Sequence, residues 1–290
     1  MKLPGPLVST QWLADHLDVS TLRVFDASVY LVPRLDGAGY LTESGRSAWQ
    51  SAHIPGANFL DLLADFSDNS QPVPVMMPAP ERFAALCERH GIGDDVAVVI
   101  YSAQGMAWSA RMWWMLRAMG FDNAAVLDGG WEQWQCEGRP SANQHQPYPV
   151  ARLTAKPQAH RWADKTEVLQ AIHNPTVCTL NALPAEVYDG RLNRFGRAGH
   201  IPGSHHMAHS QLLDPGSGRL LSPELLRLAF DSVGAMPRRV IAYCGTGVAA
   251  SVNALALAVL GHANTAVYDG SMAEWAMDPV LPLVTGNVPG

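Results

Sequence analysis

The amino-acid sequence contains two similar halves, and this repeat restricts the possible folds more than any other feature. The turn His-Ile-Pro-Gly begins at His53 and again at His200. An apolar segment typical of a buried strand ends at Tyr101, and its counterpart ends at Tyr243. A turn of sequence Asp-Gly after a short strand also occurs in both halves. Features repeated in one order at similar spacing indicate a duplicated domain.

Within each half, predicted strands alternate with predicted helices. This alternation predicts an α/β fold in which each half forms an open, mostly parallel sheet with helices on both faces. We expect domains at residues 1–140 and 162–290. Residues 141–161 contain several prolines and no apolar period, and we expect a linker there. Residues 30–52 are polar and contain glycine, and we expect a loop.

The composition argues against several classes of protein. The formal net charge is −6 and the basic residues are scattered, so we expect no nucleic-acid partner. No apolar run has the length of a membrane-spanning helix, and we expect no membrane partner. The 4 cysteines are far apart and form no Cys-x-x-Cys pair, which favours a reducing compartment. Since the first residues also lack the apolar segment of a signal peptide, we expect a cytoplasmic protein.

The second half contains a cysteine in surroundings that favour reactivity. Cys244 follows the apolar strand and precedes Gly245, Thr246 and Gly247, and an apolar helix is predicted from Val248 onward. The N–H groups of such a loop and the positive end of the helix dipole favour an anion. The thiolate is the form of cysteine that acts as a nucleophile. This cysteine is therefore a candidate catalytic residue, and the alternative is a small buried apolar side chain.

Two such halves, each with a His-Ile-Pro-Gly turn and with a lone loop cysteine in the second, resemble the tandem-domain rhodanese sulfurtransferases. The resemblance extends from about Ser9 to Pro282. The Cys-Gly-Thr-Gly-Val segment is similar to that of the 3-mercaptopyruvate sulfurtransferase branch. Ser102 stands at the place of the cysteine in the first half. The resemblance thus implies two rhodanese-like domains, of which only the second carries the nucleophile.

The resemblance also implies a reaction. A small anionic donor, 3-mercaptopyruvate or thiosulfate, transfers its outer sulfur to Cys244, and a thiol or cyanide takes the sulfur from the resulting persulfide. Loop N–H groups can stabilise the negative charge of a persulfide, so no cofactor is expected. A sulfur-accepting protein is a further candidate partner. The persulfide-cradling loop consists of Gly245, Thr246, Gly247, Val248 and Ala249.

Several positions depart from the pattern of that branch. Leu63, Val75 and Val187 stand where the branch has an aspartate, a histidine and a donor-binding arginine, and Asn181 replaces a strand-end aspartate. The candidate substrate-binding residues are arginines of the loop before the second His-Ile-Pro-Gly turn: Arg194, Arg191 and Arg197. The departures leave an alternative open, in which the chain is a degenerate rhodanese module. Such a module would carry a persulfide or bind a partner protein rather than act as an efficient enzyme.

The sequence argues against two other classes of site, a cysteine phosphatase and a zinc site. A cysteine phosphatase also places a cysteine before a helix, but it needs an arginine six residues later to bind phosphate with two hydrogen bonds. Ala250 occupies that position. His205, His206 and His209 lie close to His200, but no cysteine or carboxylate stands at the spacing of a zinc ligand. We therefore predict a sulfurtransferase without a metal site.

Overall fold

The structure, a computed structural model, describes residues 1–33 and 40–290 and consists of two compact units. Unit 1 comprises Met1–Asn69, Met77–Gln158 and Gly216–Arg219, and unit 2 comprises Ser70–Met76, Ala159–Pro215 and Leu220–Gly290. Each unit thus includes a short segment from the other half of the sequence. Of the segment predicted as a linker, residues 141–158 belong to unit 1, and Ala159–Arg161 forms a short 3-10 helix in unit 2.

Each unit contains one five-stranded sheet whose strands all pair in parallel. The strands of unit 1 are β1 Leu7–Val8, β2 Leu22–Asp26, β3 Val29–Pro33, β4 Tyr40–Ser44, β5 Asn58–Phe59, β6 Ala97–Tyr101 and β7 Ala124–Leu127. Those of unit 2 are β8 Trp162–Ala163, β9 Val177–Asn181, β10 His205–His206, β11 Arg239–Tyr243 and β12 Thr265–Tyr268. The sheet order is β1-β7-β6-β2-β5 in unit 1 and β8-β12-β11-β9-β10 in unit 2. Successive strands therefore take the same places in both sheets, which confirms the predicted α/β repeat.

Helices connect the strands of both units. They are α1 Thr10–Ala14, α2 Arg46–Ser51, α3 Pro80–Arg89, α4 Ala107–Ala118, α5 Gly130–Cys136, α6 Lys165–Ala171, α7 Ala185–Tyr188, α8 Pro223–Ser232, α9 Ala250–Val259 and α10 Ser271–Trp275. α6 and α8 begin where the sequence predicts, because the side chains of Asp164 and Ser222 accept hydrogen bonds from the first turn of each helix. Within the described residues, no helix is both long enough and apolar enough to cross a membrane.

The prediction of a loop over residues 30–52 is wrong for most of that segment. β3 and β4 form an antiparallel hairpin, and α2 follows it. Residues 34–39 of the predicted loop lie outside the described residues. Leu31, Tyr40 and Leu41 are all about half exposed on the hairpin. The segment therefore lacks the buried apolar face by which a strand is recognised in a sequence.

The central strands carry the segments on which the candidate site depends. β6 is buried along its whole length, and β11 is buried from Val240 to Tyr243. The helices that follow these strands, α4 and α9, are also buried over most of their residues. This burial explains why both helices are apolar on several sides rather than amphipathic. The loop between β11 and α9 is therefore anchored in the core of unit 2 at both ends.

The first His-Ile-Pro-Gly turn fastens the segment that follows the last helix of unit 1. His53 is fully buried and forms an antiparallel bridge with Ala142. Its ring nitrogen atoms lie 2.6 Å from the Trp49 carbonyl oxygen and 3.3 Å from the Gln144 carbonyl oxygen. The histidine is thus a structural residue of this unit.

The second His-Ile-Pro-Gly turn fixes the C-terminal segment of unit 2 in place. His200 is fully buried and forms an antiparallel bridge with Val284. Its ring nitrogen atoms lie 2.8 Å from the Tyr188 carbonyl oxygen and 3.1 Å from the Val288 carbonyl oxygen. Burial lowers the pKa of His200. The repeated motif therefore has a repeated structural role.

Candidate active site

Cys244 lies at the carboxyl end of β11, the middle strand of the unit 2 sheet. The residue is 2% exposed, and α9 begins at Ala250. Gly247 has a φ of +75°, a left-handed conformation that glycine adopts without strain. The chain therefore turns sharply after the cysteine and enters the helix, as the sequence predicts.

The hydroxyl group of Ser271 holds the beginning of this loop. Its Oγ atom accepts hydrogen bonds from the N–H groups of Cys244 and Gly247, both at 3.1 Å. The same hydroxyl donates to the Tyr268 carbonyl oxygen at 2.7 Å. Ser271 is fully buried and has a φ of +48°, a left-handed conformation that is costly for a residue with a side chain. The Met272 N–H also donates to the Cys244 carbonyl oxygen at 3.0 Å, so the start of α10 supports the loop through several bonds.

Other N–H groups of the loop have no acceptor within the described part of the protein. These are the main-chain N–H groups of Gly245, Thr246, Val248 and Ala249, and the Thr246 hydroxyl makes no hydrogen bond there either. They lie beside the cysteine and at the N-terminal end of α9, a helix of 10 residues. N–H groups at a helix N-terminus stabilise anions. The loop can therefore stabilise negative charge next to the thiol.

In the equivalent loop of unit 1, the N–H groups that correspond to those of Gly245 and Thr246 both have acceptors. Ser102 takes the place of the cysteine, and its hydroxyl donates to a main-chain carbonyl oxygen of the same loop at 2.7 Å. The Ala103 N–H donates to the Ser28 hydroxyl at 2.7 Å. The Gln104 N–H donates to the Glu132 carboxylate at 2.6 Å. Unit 1 therefore has the same chain path but presents neither a nucleophilic thiol nor the same set of unoccupied donors.

The remaining cysteines have different surroundings. Burial raises the pKa of the Cys178 thiol to about 11 and raises that of Cys87 well above its usual value. Both therefore remain protonated at neutral pH and are poor nucleophiles. Cys136 is exposed at the end of α5 in unit 1. Among the cysteines, Cys244 alone combines a strand end with a helix N-terminus.

The candidate arginines of unit 2 differ in their partners. The Nε atom of Arg191 lies 2.7 Å from the Asp189 carboxylate, and its side chain is 73% exposed. The guanidinium group of Arg197 donates to two main-chain carbonyl oxygens at 2.8 Å and so anchors its loop. Arg194 is exposed between these two residues. Its exposure makes its guanidinium group accessible to an anion from solvent.

The positions that depart from the family pattern carry no group that could transfer a proton. Val187 is 2% exposed on α7 and belongs to the core of unit 2. Val75 lies in Ser70–Met76 of unit 2 and has a φ of +64°, which is rare for a β-branched residue. Asn181 is fully buried at the end of β9. Leu63 is half-buried in unit 1.

Within the described residues, no group of three or more histidine, cysteine or acidic side chains could hold a metal ion. The His206 ring lies 2.8 Å from the Leu183 carbonyl oxygen, and the His209 ring lies 3.3 Å from the Ala182 carbonyl oxygen. Burial lowers the pKa of His205 and of His209. His205 and His209 are therefore neutral side chains of the fold at neutral pH.

Two residues that contact the loop are not among those predicted from the sequence. Ser271 belongs to the second Asp-Gly turn, and its counterpart in unit 1 is Gly130. That difference between the halves is a signal that could have identified the serine. Phe195 lies against Gly245, and nothing in the sequence links residues that are so far apart along the chain.

Comparisons with known proteins show the family to which the chain belongs. A family model described as the rhodanese-like domain matches residues 9–137 and 165–278. The chain is 31% identical over 279 residues to the 3-mercaptopyruvate sulfurtransferase of Escherichia coli (strain K12), covering 95% of this chain and 96% of that protein. It is 34% identical over 303 residues to thiosulfate/3-mercaptopyruvate sulfurtransferase 1 of Arabidopsis thaliana, covering 96% of this chain and 78% of that protein.

A solved structure shows the same architecture. The crystal structure of SseA from Escherichia coli, described as a 3-mercaptopyruvate sulfotransferase, matches with a TM-score of 0.80 and 31% sequence identity. The match covers 92% of this chain and 98% of that chain. The chain belongs to the rhodanese family, with two rhodanese-like domains, and is an enzyme of the sulfurtransferase class.

Proposed function

We propose that this sulfurtransferase moves sulfur from a small anionic donor, 3-mercaptopyruvate or thiosulfate, through a persulfide on Cys244 to a thiol or cyanide. The observation that carries the proposal is the set of loop N–H groups beside Cys244 that have no acceptor in the described protein. The names of the relatives support the two donors. The reaction needs a reduced thiol, which fits the 4 unpaired cysteines and a cytoplasmic location.

The first half-reaction is a displacement at sulfur. The Cys244 thiolate attacks the outer sulfur of the donor, and a new S–S bond forms while the bond from that sulfur to the rest of the donor breaks. The electron pair of the broken bond leaves on the enolate of pyruvate, which then takes a proton, or on sulfite. The outer sulfur remains on the enzyme as a persulfide with a negative charge.

The second half-reaction returns the enzyme to its starting form. A nucleophilic acceptor attacks the outer sulfur of the persulfide, and Cys244 leaves as a thiolate. Cyanide becomes thiocyanate, and a thiol becomes a persulfide. The loop N–H groups can stabilise the negative sulfur in each state, and the Thr246 hydroxyl can donate one more hydrogen bond.

The donor also needs positive charge outside the loop, because residues 244–249 carry none. Arg194 is the candidate that we favour for this role. It is exposed, and it stands where the rhodanese pattern has its second carboxylate-binding arginine. An arginine can bind a carboxylate or a sulfonate-like group through two parallel hydrogen bonds.

A second candidate function is that of a persulfide carrier with little turnover of free donor. It is favoured by Val187, which is buried in α7 at the position of the family's donor-binding arginine. A carrier would accept sulfur on Cys244 from a partner protein and pass it on. Steady-state turnover with free donor and cyanide distinguishes the two functions, because only the enzyme completes many cycles.

Intact-protein mass spectrometry after incubation with each donor tests the persulfide directly. We expect the wild-type chain to gain one sulfur atom, which peptide analysis places on Cys244. Cys136→Ser, which removes the exposed cysteine, is the matched control and gains the same mass. Cys244→Ser gains none. A persulfide that forms equally in Cys244→Ser would contradict the proposal.

A further inference from the structure

The backbone conformation at residue 245 does not require a glycine. Its φ lies outside the left-handed region, where glycine is favoured, in contrast to Gly247 with a φ of +75°. The restriction at Gly245 is one of space. A Cβ atom there would lie 3.0 Å from Cζ and 3.3 Å from Cε1 of Phe195, and no other described atom counted as a neighbour lies within 4 Å. The glycine next to the nucleophile therefore makes room for an aromatic ring.

The ring meets the loop with its edge. Only two neighbouring ring atoms of Phe195, Cζ and Cε1, come within 4 Å of that Cβ position. The edge of an aromatic ring carries partial positive charge, whereas its face is negative. An edge that points at an anion-stabilising loop is electrostatically favourable there. The contact is thus compatible with a negatively charged sulfur on the preceding residue.

The loop that presents Phe195 is held at several points within unit 2. The Phe195 N–H donates to the Asn193 side-chain oxygen at 3.2 Å. Two residues further on, Arg197 donates to the carbonyl oxygens of Asp278 and Leu281, both at 2.8 Å. Asp278 follows closely after α10, the helix that supports the Cys244 loop. The ring and the loop are therefore fixed to the same region of the unit.

Gly245 itself is bonded to α10. Its carbonyl oxygen accepts a hydrogen bond from the Ala273 N–H at 2.9 Å. The peptide that follows Cys244 is thus confined by a hydrogen bond to the helix and by the edge of the Phe195 ring. Residues confined in this way keep a reacting atom in one position, which lowers the barrier to reaction.

We propose that Phe195 is a positioning residue for sulfur transfer: through its contact with Gly245, its ring fixes the peptide after Cys244 and limits access to the thiol. The inference rests on the proposed function, since it assigns a role to Phe195 in that same reaction. It predicts that the two residues are coupled. An added methyl group at residue 245 disturbs catalysis only while the ring is present.

The coupling is tested with four proteins: wild type, Gly245→Ala, Phe195→Ala and the double variant. We expect Gly245→Ala to lower kcat at least about tenfold with little change in the donor KM, because overpacking displaces the reacting sulfur. In the Phe195→Ala background, the change of Gly245 to alanine should lower kcat by less than about threefold. An equal loss in both backgrounds would overturn the inference. Thermal unfolding of each variant shows whether the fold is retained.

A second measurement does not depend on sulfur transfer. The rate of alkylation of Cys244 by iodoacetamide, followed by mass spectrometry, reports access to the thiol whether or not the chain accepts sulfur. We expect Phe195→Ala to raise this rate at least about tenfold and Phe195→Leu, which keeps most of the bulk, to stay within about threefold of wild type. A wild-type rate in Phe195→Ala would refute the role of the ring. If the wild type takes no sulfur from any donor, the proposed function fails, and the alkylation rates still decide whether the Phe195 ring limits access to the Cys244 thiol.

Discussion

Replacement of Ser271 is the sharpest test of how the loop is held. Ser271→Ala removes the oxygen that accepts hydrogen bonds from the Cys244 and Gly247 N–H groups. A buried N–H group that loses its acceptor costs about 1–3 kcal/mol. Both the Cys244 and the Gly247 N–H groups lose their acceptor, and relaxation of the loop offsets part of the lost stability. We expect Ser271→Ala to lower the free energy of unfolding of unit 2 by about 2–4 kcal/mol.

Glycine at the same position separates the hydrogen bonds from the backbone strain. Both variants lack the hydroxyl, but only glycine adopts the φ of +48° without cost. The left-handed conformation costs other residues about 1–2 kcal/mol, and the greater freedom of glycine in the unfolded chain offsets part of that gain. We therefore expect Ser271→Gly to be about 1 kcal/mol more stable than Ser271→Ala. Gly130, with a φ of +58° at the equivalent position of unit 1, shows that glycine fits this turn.

Native-state amide hydrogen exchange measures the effect unit by unit. The free energy of opening is read from the amides of β11 in unit 2, and the amides of β6 in unit 1 serve as an internal control. We expect protection to fall for β11 and to stay unchanged for β6. Equal protection of β11 in wild type and Ser271→Ala, or a less stable glycine variant, would show that the hydroxyl and the strain do not act as described.

Two further predictions concern charge. Burial raises the pKa of Asp26 from 3.8 to about 6, so the fold keeps this carboxyl protonated at a pH where the unfolded chain is ionised. Its stabilising effect is present below the lower value and is lost as the pH rises through the higher one. Asp26→Asn should therefore raise the free energy of opening measured at the β6 amides by about 3 kcal/mol at pH 7 and by little at pH 4. Equal gains at the two pH values would contradict this prediction. Arg194→Ala should lower kcat/KM for 3-mercaptopyruvate about ten- to a hundredfold through loss of a charge-assisted hydrogen bond, whereas Arg191→Ala should change it little; equal losses would show that the donor is bound elsewhere.

Much of the fold was predictable because the relevant signals are local and repeated. The apolar strands before Ser102 and Cys244 are buried on both faces, so their sequences differ clearly from the polar segments around them. Asp164 and Ser222 mark helix starts through hydrogen bonds to residues three positions away. The position of Cys244 at a strand end follows from these same signals.

The remaining features depend on contacts that the sequence order does not reveal. The β3–β4 hairpin is stabilised by main-chain pairing and exposes Leu31 and Leu41, so no buried face marks it. The anchoring role of Arg197 depends on which carbonyl oxygens lie nearby in space. Burial of Val187 likewise becomes visible only once α7 is packed against its neighbours. Sequence patterns assign residues to helices and strands, but contacts with residues distant in the sequence decide the role of each side chain.

The corresponding loops of the two units differ in the charge that lies beside them. In unit 1 the Glu132 carboxylate accepts the Gln104 N–H at 2.6 Å, so a negative charge already occupies the loop. Alignment of the two Asp-Gly turns places Ala273 at the corresponding position of unit 2. Alanine brings no charge, and its N–H instead binds the Gly245 carbonyl oxygen at 2.9 Å. A second anion in the unit 1 loop would meet repulsion from the carboxylate, whereas the unit 2 loop presents N–H groups without an acceptor in the described chain. Under the proposed function, the exchange of one carboxylate for a methyl group and the exchange of Ser102 for Cys244 both favour a persulfide in unit 2 over unit 1.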